Sequence, residues 1–343
     1  MKILSIEHNR EAIALKTPFK TALRTAWDVE FVRVCVKCED GSFAYGEAPA
    51  TKAITGEGLE EIEASLQRVA KAFVGKSIEQ AFVLLDTLSD IGSSTMAALD
   101  IAFVFLDAHQ KKQSLFEYFG TQNKEPLQSA ITISLNSSLE MLHDAKKAYE
   151  EGMDILKIKL GADISHAIEV VGSIATELPK AVLLIDANQA WDVERSKSFI
   201  DATSSWDVAL IEQPLGAKET ERMAELTRYA SVPILADESV FTLEDMRYVL
   251  EHKCADMINI KLMKCGGIRK AKEMLEYART HKIRCMMGSM LEGPNSIRAA
   301  IHLSFAYRDV ITFVDLDSPM LYKNSQENMP QDFLYQQNKI EII

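Results

Sequence analysis

The sequence predicts an α/β protein: a (β/α)7β TIM-like barrel preceded by a separate α+β region. Two observations predict the barrel. Eight short β-branched runs begin near residue 131, and their ends recur every 24–28 residues, the length of one strand–helix unit. Most of these runs are apolar until their last residues, which carry a charge or a hydroxyl. The carboxyl ends of parallel barrel strands share one face, so that pattern gathers the polar groups at one mouth. A third observation sets the N-terminus apart, because the first 110 or so residues read as a hairpin followed by helices, an α+β pattern.

Residues 1–15 alternate weakly and read as a strand. Residues 16–26 are polar and turn-like, a loop that carries Lys20 and Arg24. Residues 31–37 form a β run, Glu39-Asp40-Gly41-Ser42 is a turn signal, and 43–47 returns as the second arm of a hairpin. A second loop follows Gly46-Glu47-Ala48-Pro49 and runs to about Gly58. Helical periodicity marks 59–74 and 78–89, and Ser93-Ser94 is expected to cap a helix over 95–111. These elements place the first domain at 1–125.

The barrel domain, 126–319, has its strands expected at Ile131–Leu135, Ile155–Lys159, Val182–Asp186, Val208–Glu212, Ile234–Asp237, Met257–Lys261, Cys285–Ser289 and Thr312–Asp315. Ser137-x-x-Glu140 reads as a capping box after strand one, and Thr242-x-x-Asp245 as a weaker relative after strand five. Gly266-Gly267 reads as a turn. Ser318-Pro319 breaks the chain after strand eight, so no eighth barrel helix is expected. The segment from about 320 to 343 is expected to rejoin the N-terminal domain.

Composition narrows the function classes. With 47% hydrophobic and 26% charged residues the chain is a soluble globular protein. Its net charge of −12 argues against a nucleic-acid or anionic-membrane surface. Met1–Glu7 is too poor in apolar residues to read as a signal peptide, and no run of about 18 apolar residues is present. Cys35, Cys38, Cys254, Cys265 and Cys285 form no zinc-ligand set and read as reduced thiols of a cytoplasmic protein.

The chemistry sits at the strand ends. Strands three, four and five end in Asp186, Glu212 and Asp237. Three carboxylates converging from adjacent strands repel one another unless a hard cation holds them, and oxygen-only ligands favour Mg2+ over Zn2+. Any one of these acids, seen alone, reads as a helix cap or a partner of a surface lysine. Strand two carries Lys157 and Lys159 on one face, and strand six ends in Lys261. In isolation Lys157-Ile158-Lys159 reads as the solvated face of an edge strand. Beside the triad it reads as a basic group opposite Lys261. A nearby cation and desolvation are expected to bring such a lysine from about 10.4 toward about 7–8, where it can act as a base. None of the seven histidines lies at a strand end. Asp315 and Asp317, at i and i+2, suit a substrate ammonium group, or else a solvated turn before Pro319.

With these residues in view the chain resembles the enolase superfamily, within it the muconate-lactonizing subgroup, and within that the dipeptide epimerases, of which the L-Ala-D/L-Glu epimerases are the best-known type. The likeness spans essentially the whole chain. It is carried by the segment Pro18–Thr25, by Gly46-Glu47-Ala48-Pro49, Lys157-Ile158-Lys159, Asp186-Ala187-Asn188-Gln189, Glu212-Gln213-Pro214 and Ala236-Asp237-Glu238-Ser239, and further on by the segment Asn259–Lys264, Gly288-Ser289-Met290 and Asp315-Leu316-Asp317.

The resemblance implies a capping domain over the barrel mouth and Mg2+ on Asp186, Glu212 and Asp237, binding the dipeptide's terminal carboxylate and stabilising the enediolate. It implies Lys159 and Lys261 as the two catalytic bases, with Lys157 supporting Lys159 and the carboxylate. Asp315 and Asp317 would bind the α-ammonium, Arg24 the second residue's side-chain carboxylate, and Thr132, Ser289 and Leu291 would line the pocket. After Leu291 the chain departs from the usual pattern with Glu292-Gly293-Pro294-Asn295, in a loop positioned to contact the dipeptide. The expected partner is a small dipeptide, and a homo-oligomer is compatible with the sequence. The competing readings are an o-succinylbenzoate synthase or cycloisomerase of the same subgroup, which would not require Asp315 and Asp317, and a non-catalytic barrel, which leaves the opposed lysines unexplained.

Overall fold

A computed structural model of the chain describes every residue but Leu23, which falls within the N-terminal loop motif. Eight parallel strands follow one another in chain order around a barrel. They run Ile131–Ile133, Ile155–Lys159, Val182–Asp186, Val208–Glu212, Ile234–Ala236, Met257–Ile260, Arg284–Gly288 and Ile311–Asp315. The ring closes between the last and the first through the Ser129–Val314 bridge, where the Ala130 N–H donates to the Val314 carbonyl at 2.7 Å. Strands two, three and four match the expected bounds. Strands five, six and seven end one residue early, at Ala236, Ile260 and Gly288, and strand one ends at Ile133.

Inside the barrel the period-two alternation separates two layers. Ala130, Leu184, Leu210, Leu235, Met257 and Met286 form a buried apolar plug. One step further along the same strands the inward positions become Lys157 and Lys159, Asp186, Glu212, Asp237 and Asn259, all buried. Burial of the plug drives closure, and the charged layer rides on it at the carboxyl end.

The N-terminal sheet is the antiparallel meander Ile3–Lys20, Thr25–Cys38, Phe43–Pro49. The expected loop over 16–26 is therefore shorter: residues 16–20 and 25–26 are strand, with Phe19 paired to Ala26 and Lys20 to Thr25 after an irregularity beyond Ala14. Pro18 sits in that irregular stretch, where a missing N–H costs no ladder bond. The tip of this hairpin is tied to the barrel, where the Leu135 N–H donates to the Lys20 carbonyl at 3.0 Å.

The helix Ser93–Gln110 packs across the sheet so closely that a Cβ on Gly46 would lie 1.8 Å from the Ala98 carbonyl oxygen. Its N-terminus is not capped by Ser93-Ser94. Instead Glu57 accepts from the Ser94 and Thr95 N–H groups at 2.7 and 3.1 Å; an ionised carboxylate is the stronger acceptor there. Thr242 and Asp245 form a full reciprocal capping box, whereas the Ser137 hydroxyl accepts from the Glu140 N–H and donates to the Glu140 carboxylate.

Two carboxylates of the capping domain fix it to barrel helices. Asp100 accepts from the Arg269 N–H at 3.1 Å and from Arg269 Nε at 2.6 Å, at the start of the helix Ile268–His281. The Gly266-Gly267 turn makes this approach possible: φ is 116° at Gly267, and a Cβ there would meet Asp100 Oδ2 at 2.5 Å. Glu47 accepts from the Asn295 and Ser296 N–H groups at 2.7 and 3.2 Å, at the start of the helix Pro294–Ala306. The C-terminal tail first touches the N-terminal sheet, with the Lys323 N–H donating to Ala14. It then forms the hairpin Phe333–Gln336 and Lys339–Ile342, which pairs with Leu127–Gln128. Among the described residues no helix is long and apolar enough to cross a membrane.

Because Asp100 is buried and tied to Arg269, Asp100→Ala should lower the unfolding free energy by about 3 kcal/mol. Urea denaturation checks this; an unchanged midpoint would remove the pair from the forces that dock the cap.

Candidate active site

The charged layer is held together by lysines. Lys157, 1% exposed, reaches three carboxylates at once. Its Nζ lies 2.7 Å from Asp315, 2.7 Å from Glu212 and 3.2 Å from Asp186. Lys159 Nζ lies 2.5 Å from Asp186, the residue it faces in the strand register. On the far side Lys261 Nζ lies 2.6 Å from Asp237 Oδ2. Lys264 sits behind, 2.6 Å from Asp237 Oδ1 and donating to the carbonyls of Asp237 and Asn259. Asn259 donates to Glu212 Oε1 at 2.8 Å.

The electrostatics follow from this arrangement. Burial opposes the charge on Lys157, but Asp315, Glu212 and Asp186 outweigh it and hold its pKa well above the ordinary value. Burial likewise opposes the charge on Lys261, and Asp237, Glu212 and Glu238 together outweigh it, so that lysine too is raised. Among the acids, burial and the charge of Asp186 push Glu212 up to about 7. Burial and Asp237 push Glu238 up to about 7, and burial and Asp315 push Asp317 up to about 6.

Above this floor lies one cavity, roofed by the capping domain. The expected residues Arg24, Thr132, Lys159, Asp237, Lys261, Ser289, Leu291, Asp315 and Asp317 all line it. Lys157, Asp186 and Glu212 lie beneath, fully buried. Asp317 also accepts from the Thr132 N–H at 2.8 Å, which ties strand one to the end of strand eight. Arg24 donates to the Ala50 carbonyl at 3.1 Å, and burial lowers its pKa.

Sequence reasoning assigned no role to Asn188, Glu238 and Thr51, which also line the cavity. Asn188 stands two residues after Asp186 at φ 43°, in contact with Glu238 at 3.4 Å. The adjacency of Glu238 to Asp237 was the available signal for it. Nothing local marked Thr51.

Whether these residues fit a divalent cation can be judged from their oxygens. Asp186 and Glu212 are direct register partners, and the donor set is all carboxylate. Glu212 Oε2 and Asp237 Oδ1 are buried and make no directed hydrogen bond, although each faces a lysine at short range. Asp186, Glu212, Asp237, Glu238, Asp315 and Asp317 face four buried lysines; if all are ionised, two negative charges remain, the charge of one divalent cation. Among the described residues no three potential ligands already stand at metal spacing; lysine ammonium groups occupy the carboxylate oxygens. The residues fit the group.

The loop after strand seven departs from its expected role. Met290 and Leu291 line the cavity, but Glu292 turns inward and accepts from the Met290 N–H at 2.8 Å. Ser318 donates to the Met290 carbonyl and accepts from the Glu292 N–H, and Tyr322 donates to the Glu292 carbonyl. Gly293-Pro294-Asn295 starts a helix and receives Glu47, so this departure builds the seam with the cap.

Burial pushes Glu292 up to about 7, above an unfolded value of about 4.3. The folded chain thus holds this proton more tightly. The stability this contributes is complete below about pH 4 and is lost as the pH rises through 7. Relative to Glu292→Gln, the native protein should lose roughly 1–3 kcal/mol between pH 5 and pH 8. Parallel melting curves across that range test it, and a constant difference would contradict the burial argument.

Comparison with known proteins agrees with this geometry. Residues 140–342 match the family described as Enolase C-terminal domain-like. The chain is 54% identical over 335 residues to the L-amino acid-D/L-Glu epimerase of Sulfurimonas denitrificans, covering 98% of both chains. It is 36% identical to the L-Ala-D/L-Glu epimerase of Bacillus subtilis over 96% of this chain and 91% of that one. The fold matches the substrate-liganded structure of the Bacillus subtilis L-Ala-D/L-Glu epimerase with a TM-score of 0.92 at 33% identity, covering 100% of this chain and 97% of that one. It matches the Enterococcus faecalis dipeptide epimerase complexed with Mg and L-Leu-L-Tyr with a TM-score of 0.92 at 30% identity, covering 100% and 98%.

Proposed function

The chain belongs to the enolase C-terminal domain-like family, and from that premise we propose that it is a Mg2+-dependent dipeptide epimerase. It inverts the α-carbon of the C-terminal residue by 1,1-proton transfer between two bases, on L-Ala-L/D-Glu or a close relative. One observation carries the reading: Lys159 and Lys261, from strands two and six of the eight, both face a single cavity over a floor of carboxylates.

Lys159 and Lys261 each stand on one side of the substrate's α-carbon, so one removes the proton and the other returns it on the opposite face. Asp186, Glu212 and Asp237 would hold Mg2+, which supplies positive charge beside the terminal carboxylate where negative charge accumulates as the α-proton leaves. Lys157, buried among Asp186, Glu212 and Asp315, keeps that floor compact and joins it to the pair that holds the substrate ammonium, Asp315 and Asp317. Arg24 receives the side-chain carboxylate of the second residue, a role supported by its place in the cavity wall. The relatives named for D/L-Glu products support a glutamate at that position, and the Mg-complexed neighbour supports the choice of ion. The five free cysteines fit a reducing, cytoplasmic setting.

Incubation with L-Ala-L-Glu and Mg2+ in D2O should place deuterium at the glutamate α-carbon and produce L-Ala-D-Glu. NMR and chiral chromatography read both, and a library of Ala-Xaa and Xaa-Glu dipeptides without any exchange would sink the reading. Lys159→Ala and Lys261→Ala should each abolish epimerisation, by at least about 10³-fold, with one of them still exchanging the α-proton of a single epimer. Full turnover by either variant would refute the two-base assignment.

A further inference from the structure

One polar group in the cavity wall is used neither by proton transfer nor by the charged floor. Thr51 is 2% exposed, lines the cavity together with Arg24, and its hydroxyl oxygen has no hydrogen-bond partner among the described residues. A threonine preceding a helical turn ordinarily turns its hydroxyl onto the first backbone N–H groups. Thr51 precedes the turn Lys52–Thr55, yet with φ −128° and ψ 56° its side chain makes no such bond. The rest of the residue is engaged. Its N–H donates to the Glu57 carbonyl at 2.9 Å, and its own carbonyl accepts from the N–H groups of Ile54 and Thr55 at 3.0 and 2.9 Å and from the Thr55 hydroxyl.

A buried hydroxyl without a partner is costly and rare in folded proteins, so it points to a ligand atom as its missing acceptor. The neighbour on the same wall says what kind. Arg24 donates to Ala50, the residue immediately before Thr51, which fixes guanidinium and hydroxyl to one turn of chain. Ala53 and Ile54 continue the wall as an apolar strip. A cationic fork and a neutral donor beside an apolar strip suit a carboxylate carried on a short methylene chain.

We propose that Thr51 is a specificity-determining residue whose hydroxyl donates to the side-chain carboxylate of the dipeptide's C-terminal residue, alongside the Arg24 guanidinium. This rests on the epimerase reading and names what reads the second side chain. Acidic second residues gain both contacts, and neutral ones of equal length leave the threonine unpartnered.

The test is Thr51→Val, which keeps the branched shape and removes only the hydroxyl, with Thr51→Ser as the variant that restores it. For L-Ala-L-Glu, kcat/KM should fall about tenfold in Thr51→Val, mainly through KM. For L-Ala-L-Met it should change less than twofold, read as an inhibition constant against L-Ala-L-Glu if turnover is slow. Thr51→Ser should behave as the native protein, and unchanged melting temperatures show that folding is not the cause. Equal losses on both dipeptides, no loss on L-Ala-L-Glu, or a native preference for the neutral dipeptide would each overturn the assignment and leave the epimerase standing. A native protein that exchanges no α-proton of any dipeptide overturns the epimerase reading itself, and the subsite with it.

Discussion

The whole upper half of the barrel depends on balancing buried like charges. Asp186, Glu212 and Asp237 are brought into one layer by strand register, and in a medium of low dielectric their repulsion would splay the strands. Lys157 prevents this by touching three carboxylates at once, Asp315 included. Lys159 adds a second cation to Asp186, and Lys261 pairs with Asp237. The compensation is incomplete, and the surplus shows in Glu212 and Glu238, both pushed up to about 7 by burial and by neighbouring acids. A site left with this much negative charge is prepared for cations: a divalent ion, and the ammonium end of a substrate.

The cap follows from the same economy of charge. Asp100 and Glu47 are buried carboxylates that leave their own domain to receive the N-termini of barrel helices. Glu57 does the same for the helix Ser93–Gln110 inside the cap. Each such carboxylate satisfies backbone donors that would otherwise be orphaned. Docking by these contacts sets the roof over the mouth, where Phe19, Thr21 and Arg24 stand beside Thr51, Ala53 and Ile54. The same seam explains Gly293-Pro294-Asn295, which receives the cap at Glu47 rather than the substrate.

Much of this was legible beforehand. Strand spacing and polar strand ends located the barrel, its active face and the lysines and acids of the floor, because a period of two fixes which residues share a face. Two expectations failed for physical reasons. Residues 16–20 looked like part of a loop because they are polar, yet cross-strand pairing tolerates polar residues where one face is open. Ser93-Ser94 was expected to cap its own helix, but Glu57, distant in the chain, takes the Ser94 and Thr95 N–H groups instead. Thr51 and the inward turn of Glu292 gave no local signal, since both are defined by contacts with distant segments.

The sequence alone determined the architecture and the chemical inventory. Hydrophobic periodicity dictates where strands and helices lie, and the carboxyl ends of parallel strands converge by topology. Only the tertiary structure decided which charges meet, which way each pKa moves, and which polar groups are left without partners. Those properties depend on distances of a few ångströms between residues far apart in the chain, and no local pattern encodes them. Lys157 illustrates both parts: the sequence showed that it points into the barrel, and the fold made it the common partner of Asp186, Glu212 and Asp315.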